Sequence, residues 1–127
     1  MADIRIYNVD SIGKPVGPYS HVARVKGGET LYIAGMLAAG DSFEAQCSGV
    51  FAQIEKALKS AGGGWGNVVQ FTTFLVHSQD IAKLYAWRER EYPKMFPDGK
   101  YPPNTLLTID RLVQEQFLIE VQTIAAL

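Results

Sequence analysis

Cysteine and histidine are scarce in this 127-residue chain, and their scarcity excludes several kinds of site. The single cysteine, Cys47, cannot form an intrachain disulfide, which is typical of a protein in a reducing compartment. The two histidines, His21 and His77, have no HExxH or CxxC companion, so no zinc site is predicted. A GxSxG motif is also missing, and the sequence shows no candidate for nucleophilic catalysis.

Strong net charge and long apolar stretches are missing as well. The chain carries 12 Lys+Arg and 13 Asp+Glu, for a net charge of −1, and no basic run exceeds two residues. It therefore lacks the electrostatic footprint expected for nucleic-acid or anionic-membrane partners. Charges lie within Met1–Tyr7, where a signal peptide needs apolar residues, and no apolar run approaches the ~20 residues that span a bilayer. These features predict a cytoplasmic protein.

The composition that is present is that of one folded domain. Hydrophobic residues make up 47% of the chain and charged residues 20%, and no linker or repeat divides residues 1–127. Apolar periodicity predicts the order β-β-α-β-α-β-β, to which Ile4–Asn8 can add an N-terminal strand. The predicted elements are a hairpin of His21–Val25 and Thr30–Ala34, a helix over Phe43–Ala61, a strand over Asn67–Val76, a helix from after Ser78 to Glu91, and strands over Asn104–Leu112 and Phe117–Ala125.

Cap and turn residues predict where the helices begin and end. Asp41 is the expected N-cap of the first helix, and Gly62 is the expected left-handed residue at its end. Pro93 is expected to stop or kink the second helix. The glycines of 62–66 follow a helix and precede a strand, the reverse of a phosphate-binding loop, which predicts a connector. Cys47 falls on the apolar face of the first helix and is predicted to be a core residue.

The predicted sheet has two faces, and two helices can cover only one of them. The strands around Val68–Val76 and Phe117–Ala125 carry apolar or β-branched residues on both faces. A sheet face that is open to water is expected to be polar. Another copy of the same chain is the simplest cover for the second face, so the sequence predicts a homo-oligomer.

Several short pieces of sequence follow one another in a characteristic order. They are Gly-Pro-Tyr at 17–19, Ile-Ala-Gly at 33–35, Ala61–Gly62 leading to Val68, the strand Thr72–Val76, and Ile119–Ala125. Each piece is common alone, but in their order and spacing they resemble the Rid family (reactive intermediate deaminases, also called YjgF or L-PSP proteins) over essentially the whole chain.

This resemblance implies a chorismate-mutase-like α+β fold, in which a mixed sheet carries two helices on one face. It also implies a homotrimer with small-molecule clefts between its subunits. The best-known members hydrolyse enamines and imines such as 2-aminoacrylate, releasing ammonia and a 2-oxo acid. No cofactor is implied, because a protonated C=N bond is already electrophilic. Such a site has to place a water, hold the substrate and assist proton transfer.

Matched position by position, the resemblance implies catalytic roles for Glu120 and Tyr19. Glu120 matches the glutamate thought to position the attacking water, Tyr19 matches the tyrosine of the cleft, and Gly35 matches a backbone position near the substrate. Without the family, Glu120 is interpreted as a solvated or ion-paired strand residue. Tyr19 is then an interface or core aromatic with a hydrogen-bonded hydroxyl, and Gly35 is a bulge or a close backbone approach.

One position departs from the family pattern. Deaminating members carry an arginine at the start of the penultimate strand, which clamps the substrate carboxylate bidentately. The aligned residue here is Asn104, and Leu106 stands where a cysteine is frequent. Asparagine is neutral and lacks the fork of donors. Either the substrate is not a simple 2-imino acid, or another cation binds it. Arg88, which lies with Tyr85 on the apolar face of the second helix, is the first candidate and Arg111 the second.

The expected substrate-binding residues are therefore Gly35, Asn104, Leu106, Tyr85 and Arg88, although Arg88 also fits a snorkelling helix residue. One functional hypothesis is an enamine or imine hydrolase with an altered substrate, such as an aminomuconate-like catabolic intermediate. Another is a non-catalytic protein whose cleft holds a small metabolite. A third is the ribonuclease activity reported for some family members, which the near-neutral charge and the lack of a basic aromatic platform disfavour.

Overall fold

The computed structural model describes all residues from Met1 to Leu127, which form six strands and two helices. Four strands form one sheet in the order β3-β6-β4-β5, in which β4 and β5 are parallel and the other pairs are antiparallel. The remaining two strands, β1 and β2, pair with each other in a separate antiparallel ribbon. In chain order the elements are β1 (Asp3–Tyr7), β2 (Val22–Lys26), β3 (Thr30–Met36), α1 (Phe43–Ser60), β4 (Val68–Leu75), α2 (Asp80–Met95), β5 (Asn104–Thr108) and β6 (Ile119–Ala126).

This architecture confirms the predicted α+β class and the predicted order of elements. Neither helix combines the length and the apolar character that a membrane span requires.

The first helix confirms its predicted apolar face but begins with a different cap. The side chain of Ser42 accepts a hydrogen bond from the Ala45 N–H at 3.1 Å, so Ser42 is the N-cap and the prediction of Asp41 is wrong by one residue. Residues three or four positions apart face the sheet and are buried, and they include Cys47, as predicted: Phe43, Cys47, Val50, Phe51, Ile54 and Leu58.

The end of α1 confirms the role predicted for Gly62. This residue has a φ of 82° and donates its N–H to the Lys59 carbonyl at 3.0 Å, while the next N–H, of Gly63, reaches the Leu58 carbonyl at 2.9 Å. These two bonds form a Schellman motif, which requires the left-handed conformation that glycine adopts without strain. The glycine-rich segment then leads through a 3₁₀ turn at Trp65–Asn67 into β4, as a connector should.

The second helix runs past Pro93 to Met95, so of the two predicted effects of this proline, a stop near Glu91 or a kink, the stop is wrong. Proline removes one backbone donor, but the loss falls in the last turn of the helix, where only Lys94 and Met95 follow. That turn is held by the Phe96 N–H, which donates to the Tyr92 carbonyl at 2.7 Å. The rings of Tyr92 and Phe96 also pack edge to face, 5.1 Å apart. Local packing therefore outweighs the missing hydrogen bond.

The predicted hairpin of β2 with β3 is wrong. β2 pairs with β1, in a register that places Arg5 opposite Arg24, and β3 pairs with β6 at the other end of the chain. After β2, Glu29 exchanges two backbone hydrogen bonds with Leu127, at 3.0 and 2.8 Å. The C-terminus thus takes the position beside β3 that a hairpin partner would occupy. The side chain of His21 fastens the ribbon by accepting a hydrogen bond from the Val9 N–H at 3.0 Å.

The core lies between the helices and one face of the four-stranded sheet. Alternate residues of the two central strands point into it and are almost completely buried: Phe71, Thr73, Leu75, Ile119, Val121, Thr123 and Ala125. The opposite face is not covered by either helix. It is less apolar than predicted, because Gln70, Thr72, Glu120 and Gln122 alternate there with Phe74 and Ile124.

The last two strands are shorter than predicted, because residues 109–118 form a loop between them. A single buried side chain on α1 anchors this loop. Gln46 accepts a hydrogen bond from the Leu118 N–H at 2.8 Å and donates to the Gln116 carbonyl at 2.9 Å. Its amide also reaches the Gly40 carbonyl at 3.2 Å. One glutamine side chain therefore supplies the hydrogen bonds that these loop backbone groups would make to a neighbouring strand if the strands were longer.

Candidate functional site

Glu120 and Gly35 lie against each other on the uncovered face of the sheet. Glu120 is half-buried and lies level with Phe74 of the neighbouring strand. The register of β3 against β6 shifts between Ile33 and Met36, so Gly35 sits at a strand irregularity. A Cβ built on Gly35 would collide with the Glu120 carboxylate. Gly35 therefore combines both features expected of it, a bulge and a close approach, and the partner in that approach is Glu120.

The Glu120 carboxylate has no partner within the subunit. It forms none of the six ion pairs and accepts none of the hydrogen bonds made by side chains. The interpretation of Glu120 as an ion-paired strand residue is therefore wrong for the single subunit. A half-buried carboxylate without a partner keeps all its acceptor sites free for water or for a ligand.

Tyr19 and Tyr85 belong to a second group, formed by the loop before β2 and by α2. The Tyr19 hydroxyl accepts a long hydrogen bond of 3.4 Å from the Val16 N–H. Tyr85 packs its hydroxyl onto Gly17, where an added Cβ would lie 2.8 Å from the Tyr85 oxygen. Both tyrosines are partly exposed. The Gly-Pro-Tyr segment thus rests on the second helix, with Tyr19 at its edge.

Arg88 and Asn104 form a third group with Thr73, which sequence reasoning missed. The Arg88 Nη2 donates to Thr73 Oγ1 at 3.0 Å and to Asn104 Oδ1 at 3.2 Å, and the Thr73 hydroxyl donates to Asn104 Oδ1 at 2.8 Å. Arg88 has no exposed surface at all. The alternative of a snorkelling arginine is therefore wrong. The hint in the sequence was Thr73 itself, a hydroxyl at an inward-facing position of a buried strand.

The Arg88 guanidinium carries a buried charge that no carboxylate neutralises. Its Nε and Nη1 groups have no hydrogen-bond partner, and its Cζ lies 5.3 Å from the centre of the Tyr92 ring. Burial raises the pKa of Tyr92 and of Cys47 to about 12, against a smaller opposing effect of Arg88, so both groups stay protonated at neutral pH. The protonated Cys47 thiol is a core residue and not a nucleophile.

Comparisons with known proteins identify related sequences and related structures. A model of the family described as Endoribonuclease L-PSP matches residues 10–127. A RutC family protein of Synechocystis is 30% identical over 122 residues, which cover 89% of this chain and 88% of that protein. The chain belongs to the Rid/YjgF family. Among solved structures, a Rid-family protein of Yersinia pestis shares 27% identity with a TM-score of 0.85 over 98% of each chain. RidA of an Antarctic Psychrobacter shares 25% identity with a TM-score of 0.67, over 97% of this chain and 99% of that one.

A single subunit of this Rid protein does not bring all the predicted site residues together. Asn104 lies level with Phe71 on the helix-covered side of the sheet, and Leu106, two residues on, is partly buried against the core. Glu120 lies level with Phe74, on the opposite side. Arg88, Thr73 and Asn104 form the Asn104 group, and Glu120 and Gly35 form the Glu120 group. Since successive residues of a strand point to opposite faces, the sheet separates these two groups.

Neither cation offered as a substitute for the family arginine is both accessible and free of partners in the Rid subunit. Arg88 is enclosed, so a direct clamp by its guanidinium is wrong for this conformation. Arg111 is exposed, but its Nε and Nη2 donate to the carbonyls of Leu112 and Val113 at 3.1 and 3.2 Å. Its Nη1 lies 3.6 Å from Glu115. Arg111 therefore uses its guanidinium to hold together its own loop, residues 111–115.

Two cavities lie apart from Glu120, Tyr19 and Asn104. One of about 450 Å³ lies between the ribbon and the end of α2, and its lining includes Ile4, Ile6, Trp65 and Phe96 together with the charged residues Asp98 and Lys100. A smaller one of about 200 Å³ lies beside His77, Asp110 and Arg111. No three His, Cys, Asp or Glu side chains converge in a way that could hold a metal ion.

Proposed function

We propose that this Rid-family protein is a hydrolytic deaminase of a small reactive enamine or imine, releasing ammonia and a carbonyl product. The observation that supports this proposal most directly is the Glu120 carboxylate, which is unpartnered, half-buried and positioned against the backbone at Gly35. A carboxylate without a competing ion pair is well suited to orient a water molecule and accept its proton.

The proposed chemistry uses water and this chain's own acid and base groups. Water adds its oxygen to the carbon of the protonated C=N bond, and its proton passes to Glu120. The carbinolamine nitrogen then takes that proton back from Glu120, and ammonia leaves while the carbinolamine hydroxyl returns its proton to Glu120 and the C–O bond becomes a carbonyl. An enamine must first be protonated on carbon to give the imine. Tyr19 is the proposed second polar contact, because its hydroxyl is accessible and weakly bonded.

Site assembly from more than one copy is part of the proposal. The Glu120 group and the Asn104 group lie on opposite sides of the sheet, so one ligand touches both only if they come from different subunits. The uncovered sheet face also exposes Tyr32, at 79%, and Leu107, at 39%, which a second copy can cover. We propose a homotrimer with clefts between subunits, acting in the cytosol, where a single reduced cysteine is common.

One observation favours a second candidate, a protein that binds a small metabolite without converting it. Asn104 stands where deaminating relatives are expected to carry an arginine, and a neutral amide cannot clamp a carboxylate in the same way. If the cleft lost its catalytic activity together with that arginine, the protein is expected to bind the ligand without converting it.

Ammonia release from freshly generated enamines and imines tests the proposal. Glu120→Gln is expected to lower the rate by about 10²-fold or more, since general acid–base groups contribute about 10²–10⁴. Glu89→Gln is the matched control, because Glu89 is exposed on α2 and has no ion-pair partner. A rate equal to that in buffer for every substrate, with ligands still raising the melting temperature, would favour the binder instead.

Sedimentation of the purified protein at micromolar concentration tests the assembly. A trimer is expected, and a stable monomer would contradict both the shared cleft and the covered sheet face.

A further inference from the structure

The chemical surroundings of Asn104 determine which way its carboxamide points. One end of the amide faces the Arg88 Nη2 at 3.2 Å, and a guanidinium donates hydrogen bonds but never accepts them. The atom at that end is therefore the oxygen, Oδ1. The Thr73 hydroxyl donates to the same oxygen at 2.8 Å. Two donors thus hold the amide in one orientation, and the reversed orientation would place an N–H group against a cation.

The other end of the amide is a free donor. The Asn104 Nδ2 group makes no hydrogen bond within the subunit, and it is not among the enclosed polar atoms that lack partners. Asn104 is partly exposed at the start of the strand at one edge of the four-stranded sheet. The two N–H bonds of Nδ2 therefore point away from Arg88 toward accessible space.

We propose that Asn104 binds one uncharged carbonyl oxygen of the substrate and that Arg88 is the positioning residue that keeps its N–H groups turned outward. The inference rests on the proposed function and names the substrate class for that site: an enamine or imine that carries a carboxamide or another neutral carbonyl in place of the usual carboxylate. Arg88 acts only through Asn104, because its own guanidinium is enclosed.

The geometry explains why a neutral carbonyl is preferred to a carboxylate. A single NH₂ group has diverging N–H bonds and cannot make the two parallel hydrogen bonds that arginine makes to a carboxylate. A carboxylate bound here would lose its hydration without gaining a cation in contact, since Arg88 is separated from it by the whole amide. A carbonyl oxygen loses far less hydration and needs only one donor. The buried charge of Arg88 strengthens that donor, because it polarises the amide in the same direction.

Stable product analogues test the preference without depending on turnover. The probes are pyruvate and pyruvamide, which differ only in carrying a carboxylate or a carboxamide, and their dissociation constants are measured by calorimetry. For the unchanged protein we expect pyruvamide to bind at least tenfold more tightly. Equal or tighter binding of pyruvate, or binding of neither probe at millimolar concentration, would overturn the inference.

Three variants separate the role of Asn104 and Arg88 from a general effect on folding. Asn104→Asp replaces the donor with acceptors and places a carboxylate against Arg88, so it should fold with an unchanged or higher melting temperature and lose pyruvamide affinity more than tenfold. Arg88→Met frees the amide to rotate and should reduce the preference between probes to less than threefold. Arg90→Met is the control on the same helix, where Arg90 contacts only Glu44 and Glu91 at the surface, and it should leave the preference unchanged.

The outcomes distinguish this inference from the proposed function. Retention of the pyruvamide preference by folded Asn104→Asp would overturn the inference while leaving the deaminase proposal intact. Ammonia release that is faster from the imine of pyruvate than from the imine of pyruvamide would do the same. A pyruvamide preference that depends on Asn104, with no ammonia release from either imine, would support the binding role of Asn104 and contradict the deaminase.

Discussion

Gly35→Ala is the perturbation that most directly tests whether the position of the Glu120 carboxylate matters. The new methyl carbon would lie 2.7 Å from the Glu120 Cδ and 2.9 Å from its Cγ, and it would collide with the carboxylate oxygen. The Glu120 side chain must then rotate away. It is half-buried and has no ion pair or hydrogen bond to hold it, so it is free to do so.

The cost in stability is expected to be small, because two effects oppose each other. Forcing a side chain away from its preferred rotamer costs about 0.5–1.5 kcal/mol. Replacing glycine by alanine at an ordinary φ stabilises by about 0.4–1 kcal/mol, through the lower entropy of the unfolded chain. The φ of Gly35 is not positive, so alanine adds no backbone strain. The melting temperature should therefore stay within about 4 °C of the unchanged protein.

The effect on activity should be much larger than the effect on stability. Displacing the carboxylate by even one rotamer moves it out of reach of a water bound at the reacting carbon, so ammonia release should fall about 10²-fold. Gly66→Ala is the matched control, because an added Cβ there meets nothing within 4 Å. A folded Gly35→Ala protein with unchanged turnover would refute the assignment of Glu120. Loss of oligomeric assembly in the same variant would place the contact at an interface instead.

Three further predictions concern stability. Gln46→Ala leaves the Leu118 N–H and the Gln116 carbonyl without their partner. In urea denaturation it should lower the free energy of unfolding by about 2–4 kcal/mol. Gln53→Ala is the control, because Gln53 is half-buried on the same helix, and it should lower the free energy of unfolding by less than about 1 kcal/mol. Burial raises the pKa of Cys47 from 9.0 to about 12, so above pH 9 only the unfolded chain loses this proton, and the free energy of unfolding should fall by about 1.4 kcal/mol per pH unit. Cys47→Ala should show a shallower alkaline decline, and an identical decline would contradict the buried thiol. Gly62→Ala should cost about 1–2 kcal/mol, because alanine at a φ of 82° is strained; no loss in thermal unfolding would contradict the Schellman motif.

The polar cluster around Arg88 shows where sequence reasoning stops. The hydrophobic pattern of α2 placed Arg88 on the buried face correctly, and the alignment picked out Asn104 as an unusual residue. Neither could join the two, because Arg88, Thr73 and Asn104 lie on three different elements and meet only in the folded chain. A periodic pattern reports which face of a helix is buried but not which atoms it meets there.

Local chemistry was sufficient for the features that involve few residues close in sequence. The apolar spacing of α1, its end at Gly62 and the presence of a strand at β4 follow from interactions within one or two turns or along one strand. The resemblance to the Rid family was also contained in the sequence, since it depends on the order of short motifs. These features need no knowledge of which distant segment packs nearby.

Only the tertiary structure decided the pairing of the strands, the run of α2 past Pro93 and the separation of the Glu120 group from the Asn104 group. The turn residues 26–29 predicted a hairpin, but Glu29 pairs instead with Leu127, the last residue of the 127-residue chain. Each of these outcomes is a competition between local preference and contacts between segments distant in sequence. Burial in the core adds more favourable contacts than one turn or one proline removes, and that sum exists only once the chain is folded.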